Sequence, residues 1–320
     1  MISFIIIGKN EGFKLYKCFN SIFKTIKINN LKNFEIIYVD SNSTDNSIEI
    51  AMKFNNLKVF LITGACNAAI ARNIGAIEST GDVLFFIDGD MEIQHNFLPL
   101  VYDENSGLKY NFVSGQWINY YYDFKGLLVN KEVFKETNFE DKNLPITGGI
   151  FFIKRHLWFQ LKGMKTKLKV HEDYDLGLRL AKQKVFLLRK KDLLAIHHTI
   201  PYNDRIRIWK LLLSGSTFYR IVLFRENIFN QYAWKVFIRN NYTFFILLIS
   251  IFLSFYFYNI FLLTFYFLSV VLRTYFRRER KIRIILTNLI YFPIYEISLL
   301  FCFFLFWPKE KKLKYIRIFN

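Results

Sequence analysis

The sequence predicts an α/β fold with a mainly parallel sheet, followed by helices that associate with a membrane. In the first 90 residues, short apolar runs alternate with segments of helical periodicity, as right-handed crossovers between parallel strands require. Residues 244–272 and 284–307 form two long apolar stretches, and no charge occurs between Arg239 and Arg273. A soluble domain does not explain both stretches, because about 20 apolar residues suffice to cross hydrocarbon.

Four strands are predicted in the first 90 residues, at Ser3–Gly8, Phe34–Val39, Val59–Ile62 and Val83–Ile87. The run from Ile2 to Ile7 has no basic segment before it and is too short for a signal peptide, so we expect a buried strand there. Helical periodicity follows the first strand, turn and cap chemistry follows the second, and an Ala-rich helix over 67–79 follows the third. Ligands of such sheets bind outside the carboxyl ends of the strands.

The pattern beyond residue 90 is less regular, and residues 100–145 are not assigned. Gly148 and Gly149 lead into an apolar strand at Ile150–Ile153, and an acidic segment from residue 172 leads into a helix over 176–184. Strand-like segments follow at Val185–Leu188 and 195–198. The sheet is therefore expected to continue to about residue 200.

The two ends of the 320-residue chain differ in charge and in aromatic content. Hydrophobic residues make up 52% and aromatic residues 19%, which excludes a disordered chain. Residues 201–320 carry 18 Lys/Arg against 5 Asp/Glu, so that +13 of the net +18 lies there together with most of the Phe. A basic, apolar segment favours an anionic lipid surface as the partner and argues against nucleic acid. The three cysteines are far apart, which indicates neither a disulfide framework nor a zinc site.

Basic clusters flank both apolar stretches. The middle cluster contains Arg273, Arg277, Arg278, Arg280, Lys281 and Arg283. Because basic flanks favour the cytoplasm, two single spans would force this cluster outside. Either each stretch bends back as a hairpin or re-entrant element, or one basic cluster lies outside, contrary to the preference of basic flanks for the cytoplasm. Tyr258-Asn259 and Pro293 are candidate bends, and Glu296 pairs with a basic residue, contacts a lipid head group or lies at an interface.

Two carboxylates follow the fourth predicted strand in the sequence Asp88-Gly89-Asp90. Carboxylates one residue apart can approach one hard cation, and Mg²⁺ or Mn²⁺ is commonly held by one or two carboxylates together with substrate phosphates. Such pairs are also frequent in surface turns. The motif gains meaning from the residues that accompany it.

In combination, the motifs resemble those of the family 2 glycosyltransferases of the GT-A fold, a Rossmann-like, mainly parallel α/β fold. The resemblance covers about residues 1–200, and it rests on Gly8-Lys9-Asn10-Glu11-Gly12, Asp40-Ser41 with the turn after it, Ala71-Arg72-Asn73, Asp88-Gly89-Asp90, Gly148-Gly149 and Glu172-Asp173-Tyr174-Asp175. The predicted domains are then a GT-A glycosyltransferase domain at 1–200, amphipathic interface helices at 201–242 and a membrane-embedded helical region at 243–320.

The resemblance implies a role for each motif. Asp173 is the implied general base on the acceptor hydroxyl, and Asp88 and Asp90 are the implied ligands of Mg²⁺ or Mn²⁺, with His197 as a third ligand. The implied nucleotide-sugar site contains Gly8, Asn10, Glu11, Asp40, Ser41, Arg72, Asp88, Gly148, Gly149 and Glu172. The alternative for His197 and His198 is a structural or surface role. The alternative for Glu172 and Asp175 is that they cap the N-terminus of the predicted helix and interact with its dipole.

The chain also departs from the family. Many members have Pro-Thr-Tyr where this chain has Ile7-Gly8-Lys9, and many have a second acid where it has Ser41. It lacks the Gln-x-x-Arg-Trp signature of processive members, the nearest string being Arg205-Ile206-Arg207-Ile208-Trp209. The missing signature favours the transfer of single sugars over polymer synthesis, and Ser41 weakens any contact with the nucleotide base beyond Asp40.

The function expected from the sequence is an inverting, metal-dependent sugar transfer. The donor is a nucleoside diphosphate sugar, and the acceptor is a lipid-linked saccharide or polyprenyl phosphate, or another glycan. The protein is expected on a bacterial inner membrane with its catalytic domain on the cytoplasmic face. The alternatives are a membrane-bound scaffold with a vestigial nucleotide-sugar site and a nucleotidyltransferase, for which residues 8–12 are a poor phosphate loop.

Overall fold

A computed structural model describes residues 1–123, 126–133, 140–200, 205–276 and 282–318, without the side chains of 205–207. Arg277, Arg278, Arg280 and Lys281 of the middle basic cluster lie outside the described residues. The chain divides into two compact units. A sheet unit contains Met1–Ile208 and Pro308–Asn320, and a helical unit contains Trp209–Trp307.

The strands are numbered in chain order. They are β1 (Ile2–Gly8), β2 (Phe34–Asp40), β3 (Leu57–Ile62), β4 (Val83–Asp88), β5 (Met91–Ile93), β6 (Tyr102–Asp103), β7 (Gly107–Leu108), β8 (Phe112–Tyr122), β9 (Leu128–Val133), β10 (Lys142–Leu144), β11 (Phe151–Lys154), β12 (Leu187–Thr199) and β13 (Tyr315–Ile318).

The helices are numbered in the same way. They are α1 (Gly12–Ile28), α2 (Ser47–Met52), α3 (Ala68–Glu78), α4 (Leu98–Val101), α5 (Arg155–Gln160), α6 (Glu172–Lys182), α7 (Arg205–Leu213), α8 (Tyr219–Glu226), α9 (Gln231–Tyr256), α10 (Thr264–Phe276) and α11 (Ile282–Leu305), with short 3₁₀ helices at Ser216–Phe218 and Ile260–Leu263.

One large sheet runs in the order β10-β12-β8-β11-β4-β1-β2-β3-β13, with β5 and β9 attached to β12 and β8. Its centre, β3-β2-β1-β4, is parallel, as is the pairing of β8 with β12. Strands β11 and β13 extend this centre in antiparallel pairings. The arrangement confirms the predicted α/β fold and positions the carboxyl ends of β1, β2 and β4 along one edge.

Helices cover both faces of the parallel centre because its strands are apolar on both sides. Alternate residues of β1 point in opposite directions, so Phe4 belongs to the core beneath α1 whereas Ile5 belongs to a second core beneath α3 and α6. The predicted strands and the Ala-rich helix are confirmed to within a few residues. The two late strand segments form one strand, β12, with an irregular register against β8.

The tail of the sheet unit differs from the prediction. The sequence predicts a helical region up to residue 320, but Tyr315–Ile318 pairs antiparallel with β3 at the edge of the sheet. Glu310 accepts hydrogen bonds from Thr166 Oγ1 at 2.7 Å and from the Lys167 amide at 3.0 Å. Strand β13 has only four residues, and a polar–apolar alternation this short cannot be recognised as a strand when it follows an apolar stretch.

Two helices of the helical unit are long and apolar enough to cross a membrane, namely α9 and α11. Helix α9 has non-helical backbone angles at Asn241, close to the predicted boundary at 242. The chain turns after α9 at Tyr258, which confirms the predicted bend at Tyr258-Asn259. The predicted bend at Pro293 is wrong, since α11 continues through Pro293 from Ile282 to Leu305.

Glu310→Ala should loosen the segment that precedes α6. The substitution removes two hydrogen bonds from residues 166 and 167 to the same charged acceptor, and we expect a loss of about 1 kcal/mol of stability. Thermal unfolding and amide hydrogen exchange over 163–171 measure the effect. The matched control is Lys312→Ala, an exposed residue of the same tail. Equal exchange rates in both variants would contradict the role of Glu310.

Candidate active site

An open cleft of about 540 Å³ lies at the carboxyl ends of β1, β2 and β4. Ligands of open α/β sheets bind at this edge. The cleft is lined by Ile7, Gly8, Lys9, Glu11, Ser41, Cys66, Asn67, Ala68, Arg72, Asp88, Asp90, Gly149, Lys169, Glu172, Asp173 and His197. Residues that are up to 190 positions apart in the sequence thus line one cleft at the strand ends.

The turn after β1 forms one wall of the cleft. Asn10 has a left-handed backbone with φ 57°, a conformation that Asn tolerates better than most residues. Its side-chain oxygen accepts a hydrogen bond from the Thr44 amide at 2.7 Å, which ties this turn to the turn after β2. Glu11 faces the cleft, where burial and the charge of Asp90 raise its pKa to about 7.

Asp40 and Ser41, at the end of β2, have different surroundings. Asp40 is fully buried, and its carboxylate accepts hydrogen bonds from the Tyr38 hydroxyl and from the amide and hydroxyl of Ser43, at 2.6–2.8 Å. Ser41 lines the cleft. Asp40 therefore shapes the turn in this structure, and its contact with a nucleotide stays a prediction.

Arg72 connects the acidic residues of the cleft. Its guanidinium is 2% exposed and donates to Asp88 at 2.6 Å and to Glu172 at 3.0 Å. Helix α3 carries it, and the side chain of Asn67 caps the start of that helix by accepting from the Ile70 amide. Burial lowers the pKa of Arg72, but Asp88 and Glu172 outweigh burial and the net shift is upward.

Asp88 and Asp90 flank the turn after β4. Burial raises the pKa of Asp88, with Asp90 adding to the shift and Arg72 opposing it. A methyl group added at Gly149 would overlap the Asp88 carboxylate. Glycine at position 149 therefore allows the carboxylate to occupy its place beside Arg72.

Glu172 and Asp173 form the first turn of α6. The preceding residue, His171, has a left-handed backbone with φ 68°, and this turn of the chain brings both acids to the cleft. Burial and the neighbouring Glu172 raise the pKa of Asp173 to about 8. Across the described residues no ion pair involves Asp173, so its carboxylate is available to a ligand.

His197 lies in β12 beside Asp90. Its Nε2 is 3.1 Å from Asp90 Oδ2, and its Nδ1 is 2.9 Å from the side-chain oxygen of Asn119. The Asn119 amide group donates to Tyr121, so its oxygen faces His197 and receives the Nδ1 hydrogen. Nε2 then donates to Asp90 when the imidazole is protonated. Burial lowers the pKa of His197, but the hydrogen bond with Asp90 and the nearby carboxylate charges together outweigh burial and raise it.

His198 belongs to a separate network. It is hydrogen-bonded to the Tyr122 hydroxyl at 2.8 Å and to Glu92 at 3.1 Å. Both ring nitrogens are therefore engaged. His198 is absent from the residues that line the cleft, which favours a structural role.

Most of the predicted site residues meet in the cleft. They are Gly8, Glu11, Ser41, Arg72, Asp88, Asp90, Gly149, Glu172, Asp173 and His197, whereas Asn10, Asp40 and Gly148 are not among the lining residues. The sequence did not single out Cys66, Asn67 or Lys169. Asn before a helical segment is an N-cap signal that could have drawn attention to Asn67; Lys169 carries no such signal.

The chain matches the model of the Glycosyl transferase family 2 over residues 3–169. The chain belongs to this family. Glycosyltransferase GlyG of Streptococcus pneumoniae is 31% identical over 124 residues, which cover 38% of this chain and 40% of the relative. The poly(ribitol-phosphate) beta-N-acetylglucosaminyltransferase TarP of Staphylococcus aureus is 26% identical over segments that cover 53% of this chain and 51% of TarP. The glycosyltransferase thus spans about half or less of these relatives.

Solved structures show a similar fold. The crystal structure of GalNAc-T7 with UDP, GalNAc and Mn²⁺ aligns with a TM-score of 0.50 at 19% identity, covering 63% of this chain and 44% of that one. At this identity the likeness supports the fold alone. Together with the sheet order, it confirms the predicted GT-A fold, and the family match confirms the predicted membership of glycosyltransferase family 2.

Gly149→Ala should displace the Asp88 carboxylate from Arg72. Overpacking of this kind costs roughly 1–3 kcal/mol, and we expect sugar transfer to fall at least about tenfold because Asp88 is moved. Thermal unfolding and a transfer assay measure the two effects. Gly148→Ala is the matched control, because its methyl group would meet only the Trp117 ring, at 3.3 Å. Full activity in Gly149→Ala would show that the position of Asp88 is unimportant.

Proposed function

We propose that the protein transfers a sugar from a nucleoside diphosphate sugar to a membrane-associated acceptor, with inversion at the anomeric carbon. The proposal rests on one observation above all, the convergence of Asp88, Asp90, His197 and Asp173 in the cleft at the strand ends. Related structures add support, since GalNAc-T7 was solved with UDP and GalNAc.

Asp173 is the proposed general base. It removes the proton from the acceptor hydroxyl while that oxygen forms a bond to the anomeric carbon, and the bond to the diphosphate breaks with its electron pair. Burial in a cleft with other acids raises the pKa of Asp173 to about 8, near the range in which a base works best at neutral pH. Arg72 acts on Asp173 through Glu172 and Asp88 as a positioning residue.

A divalent cation fits the donor set at the strand ends. No three Asp, Glu, His or Cys side chains among the described residues are arranged to hold a metal alone, so the predicted set of Asp88, Asp90 and His197 is not a preformed metal centre. Asp90 and His197 lie side by side, and Mg²⁺ or Mn²⁺ is commonly completed by substrate phosphates. When bound, the cation neutralises the charge of the leaving diphosphate.

The cleft also contains cationic groups of its own. Lys9 and Lys169 both line it, together with the acidic side chains. Diphosphate groups carry charge that ammonium groups attract. We assign these two lysines to the diphosphate of the donor.

The membrane proposal rests on the helical unit. Helices α9 and α11 are long and apolar enough to cross a bilayer, yet only 39% and 22% of their apolar windows are buried in the protein. Large exposed apolar surfaces mark contact with membranes or partners. The basic residues nearby favour an anionic lipid surface on the cytoplasmic side. A lipid-linked saccharide or polyprenyl phosphate is the acceptor class that such a location favours.

A scaffold with a vestigial site is the alternative to an active enzyme. It would have no reason to keep an acid buried among other acids, because such a group destabilises the fold when it is charged. Asp173 is an acid of this kind. The site geometry therefore favours catalysis.

Asp173→Asn should abolish transfer and stabilise the protein. Because the pKa of Asp173 is higher in the folded state than in the unfolded chain, folded stability is lost as the pH rises from about 4 towards 8. Asn does not titrate, so the variant should gain stability over the wild type with rising pH, by roughly 1 kcal/mol or more near pH 8. Thermal unfolding from pH 5 to pH 9 measures the gain, and a radiolabelled-sugar assay measures transfer.

The neighbouring Asp175 supplies the contrast. It is fully buried, pairs with Lys165 and Arg179, and is absent from the cleft lining. Asp175→Asn should therefore lower stability. Substantial transfer by Asp173→Asn would remove Asp173 as the base, and a stability loss that grows with pH would contradict its raised pKa.

Asn119→Leu should weaken Mn²⁺ binding. The substitution removes the Asn119 oxygen that receives the Nδ1 hydrogen of His197, and loss of such a partner typically costs about 10–100-fold in metal affinity. The free Mn²⁺ signal in electron paramagnetic resonance, with a nucleoside diphosphate present, measures the affinity. Tyr122→Phe is the control, because it removes a partner of His198 only. Unchanged affinity in both Asn119→Leu and His197→Ala would exclude His197 from the metal site.

A further inference from the structure

We infer that the helical unit enters the bilayer and leaves it on the same side, so that no helix of Trp209–Trp307 crosses the membrane. The inference rests on the proposed membrane association and adds its topology. The exposed apolar surface is covered by the hydrocarbon of the bilayer, which the helical unit enters from the sheet unit's side. Four features of the described residues carry the inference.

The first feature is the path of the chain. The chain leaves the sheet unit after Ile208 and re-enters it at Pro308. Tyr315–Ile318 then pairs with β3, which lies in the same sheet as β1, β2 and β4. One sheet cannot occupy both sides of a bilayer. The chain between residues 208 and 308 therefore crosses the membrane an even number of times, or not at all.

The second feature is the hairpin formed by α9 and α10. Arg273 in the last turn of α10 donates to the Asn240 carbonyl at 2.7 Å and to the Thr243 hydroxyl. The charged ends of the apolar segment 244–272 thus lie at the same depth, beside the irregular turn at Asn241. We call this end the base of the hairpin, and residues 257–263 its tip.

The length of the hairpin limits its reach. From Asn241 to Phe257 the helix rises about 24 Å, which is less than the roughly 30 Å of the hydrocarbon core. The tip carries exposed apolar side chains, with Tyr258 at 92% and Phe261 at 76% exposure. A hairpin of this length ends inside the hydrocarbon unless the bilayer thins.

The third feature is the hydrogen bonding of the tip. The amides of Phe257, Tyr258 and Asn259 donate to carbonyls of Leu253, Phe255 and Ser254. The Asn259 side chain accepts from the Phe261 amide at 3.0 Å, and the Thr264 hydroxyl donates to the Phe261 carbonyl. A turn in water can leave such groups to the solvent, whereas a turn in lipid must satisfy them internally. These amides of the tip are paired within the chain, as a turn in lipid requires.

The fourth feature is the course of α11. Asn288 donates to Thr274 at 3.1 Å, and Glu296 accepts from Thr243 and pairs with Arg273 at 3.5 Å. Two positions about 12 Å apart along α11 therefore both contact the base of the hairpin. Because both ends of the hairpin lie together and the chain re-enters the sheet unit at Pro308, α11 begins and ends on the same side of the membrane.

The exposed side chains of α11 agree with a helix lying along a membrane surface. From Leu286 to Phe304 they share one stripe at spacings of three and four residues and are all apolar. They are Leu286, Ile290, Ile294, Ile297, Phe301 and Phe304. The opposite face, with Tyr295, Glu296 and Leu299, is buried in the protein. Helix α11 therefore offers lipid one apolar stripe, while its other face packs on the protein.

Single-cysteine labelling tests the topology in the full chain. Cys66 and Cys302 are replaced by Ser, buried Cys18 stays, and the parent without added cysteines gives the background. Cysteines are placed at Lys53 in the sheet unit, at Phe261 in the tip and at Lys312 in the tail. Right-side-out and inverted membrane vesicles are treated with a membrane-impermeant maleimide, before and after detergent.

We expect Lys53→Cys and Lys312→Cys to label from the same face, and Phe261→Cys to label only after detergent. Labelling of Phe261→Cys from the face opposite to Lys53→Cys would overturn the inference while leaving membrane attachment intact. A chain that washes off the vesicles would instead refute the proposed membrane association and the inference with it.

A second measurement uses charge in the tip. Phe261→Lys should weaken binding to vesicles of phosphatidylethanolamine and phosphatidylglycerol by about tenfold or more, because a lysine enters hydrocarbon. Ile77→Lys is the matched control, an exposed apolar residue of the sheet unit that should bind normally. Equal binding of both variants would show that the tip does not enter the bilayer.

Discussion

The buried guanidinium of Arg72 is the constraint on which the site depends. It joins Asp88 at the end of β4 to Glu172 at the start of α6, and it is itself almost inaccessible to solvent. A buried ion pair contributes little net stability, but removing one partner typically costs about 3–5 kcal/mol because the others are left unpaired. One cation holds two acids, and Asp173 beside them is left with a raised pKa. The cleft therefore keeps a surplus of negative charge that a cation can satisfy.

The central sheet and most of the site could be predicted from the sequence because their signals are local. Glu11, Asp40, Asp88 and Asp90 lie at or just after the ends of apolar strands, and the carboxyl ends of parallel strands meet at one edge. The sequence could not predict that Asp40 turns inward while Ser41 faces the cleft, because that depends on the direction of one side chain at a strand end. Nor could it predict Lys169, which reaches the cleft only through the fold of the segment before α6.

The arrangement of the helical unit also could not be predicted from the sequence. Charge placement along the sequence left several topologies open, since the basic cluster after Arg273 conflicts with two single spans. The missing information was non-local. The contacts of Arg273 with Asn240 and Glu296 relate three helices, and no periodicity within one helix reports them. Local signals did suffice at Tyr258-Asn259, where the backbone turns, but misled at Pro293, where neighbouring packing lets the helix continue.

The helical unit is an insertion in the sheet unit, because strand β13 follows it in the chain and returns to the sheet. The sheet acquires its edge strand only from residues that follow the helices. The same tail holds Thr166 and Lys167 through Glu310, and Asn67, the cap of the helix that carries Arg72, donates to the Thr166 carbonyl at 2.8 Å. Truncation of the chain after residue 208 would therefore remove residues 308–320, which complete the sheet unit. The proposed attachment to the membrane and the order of the site are in this way coupled through the chain.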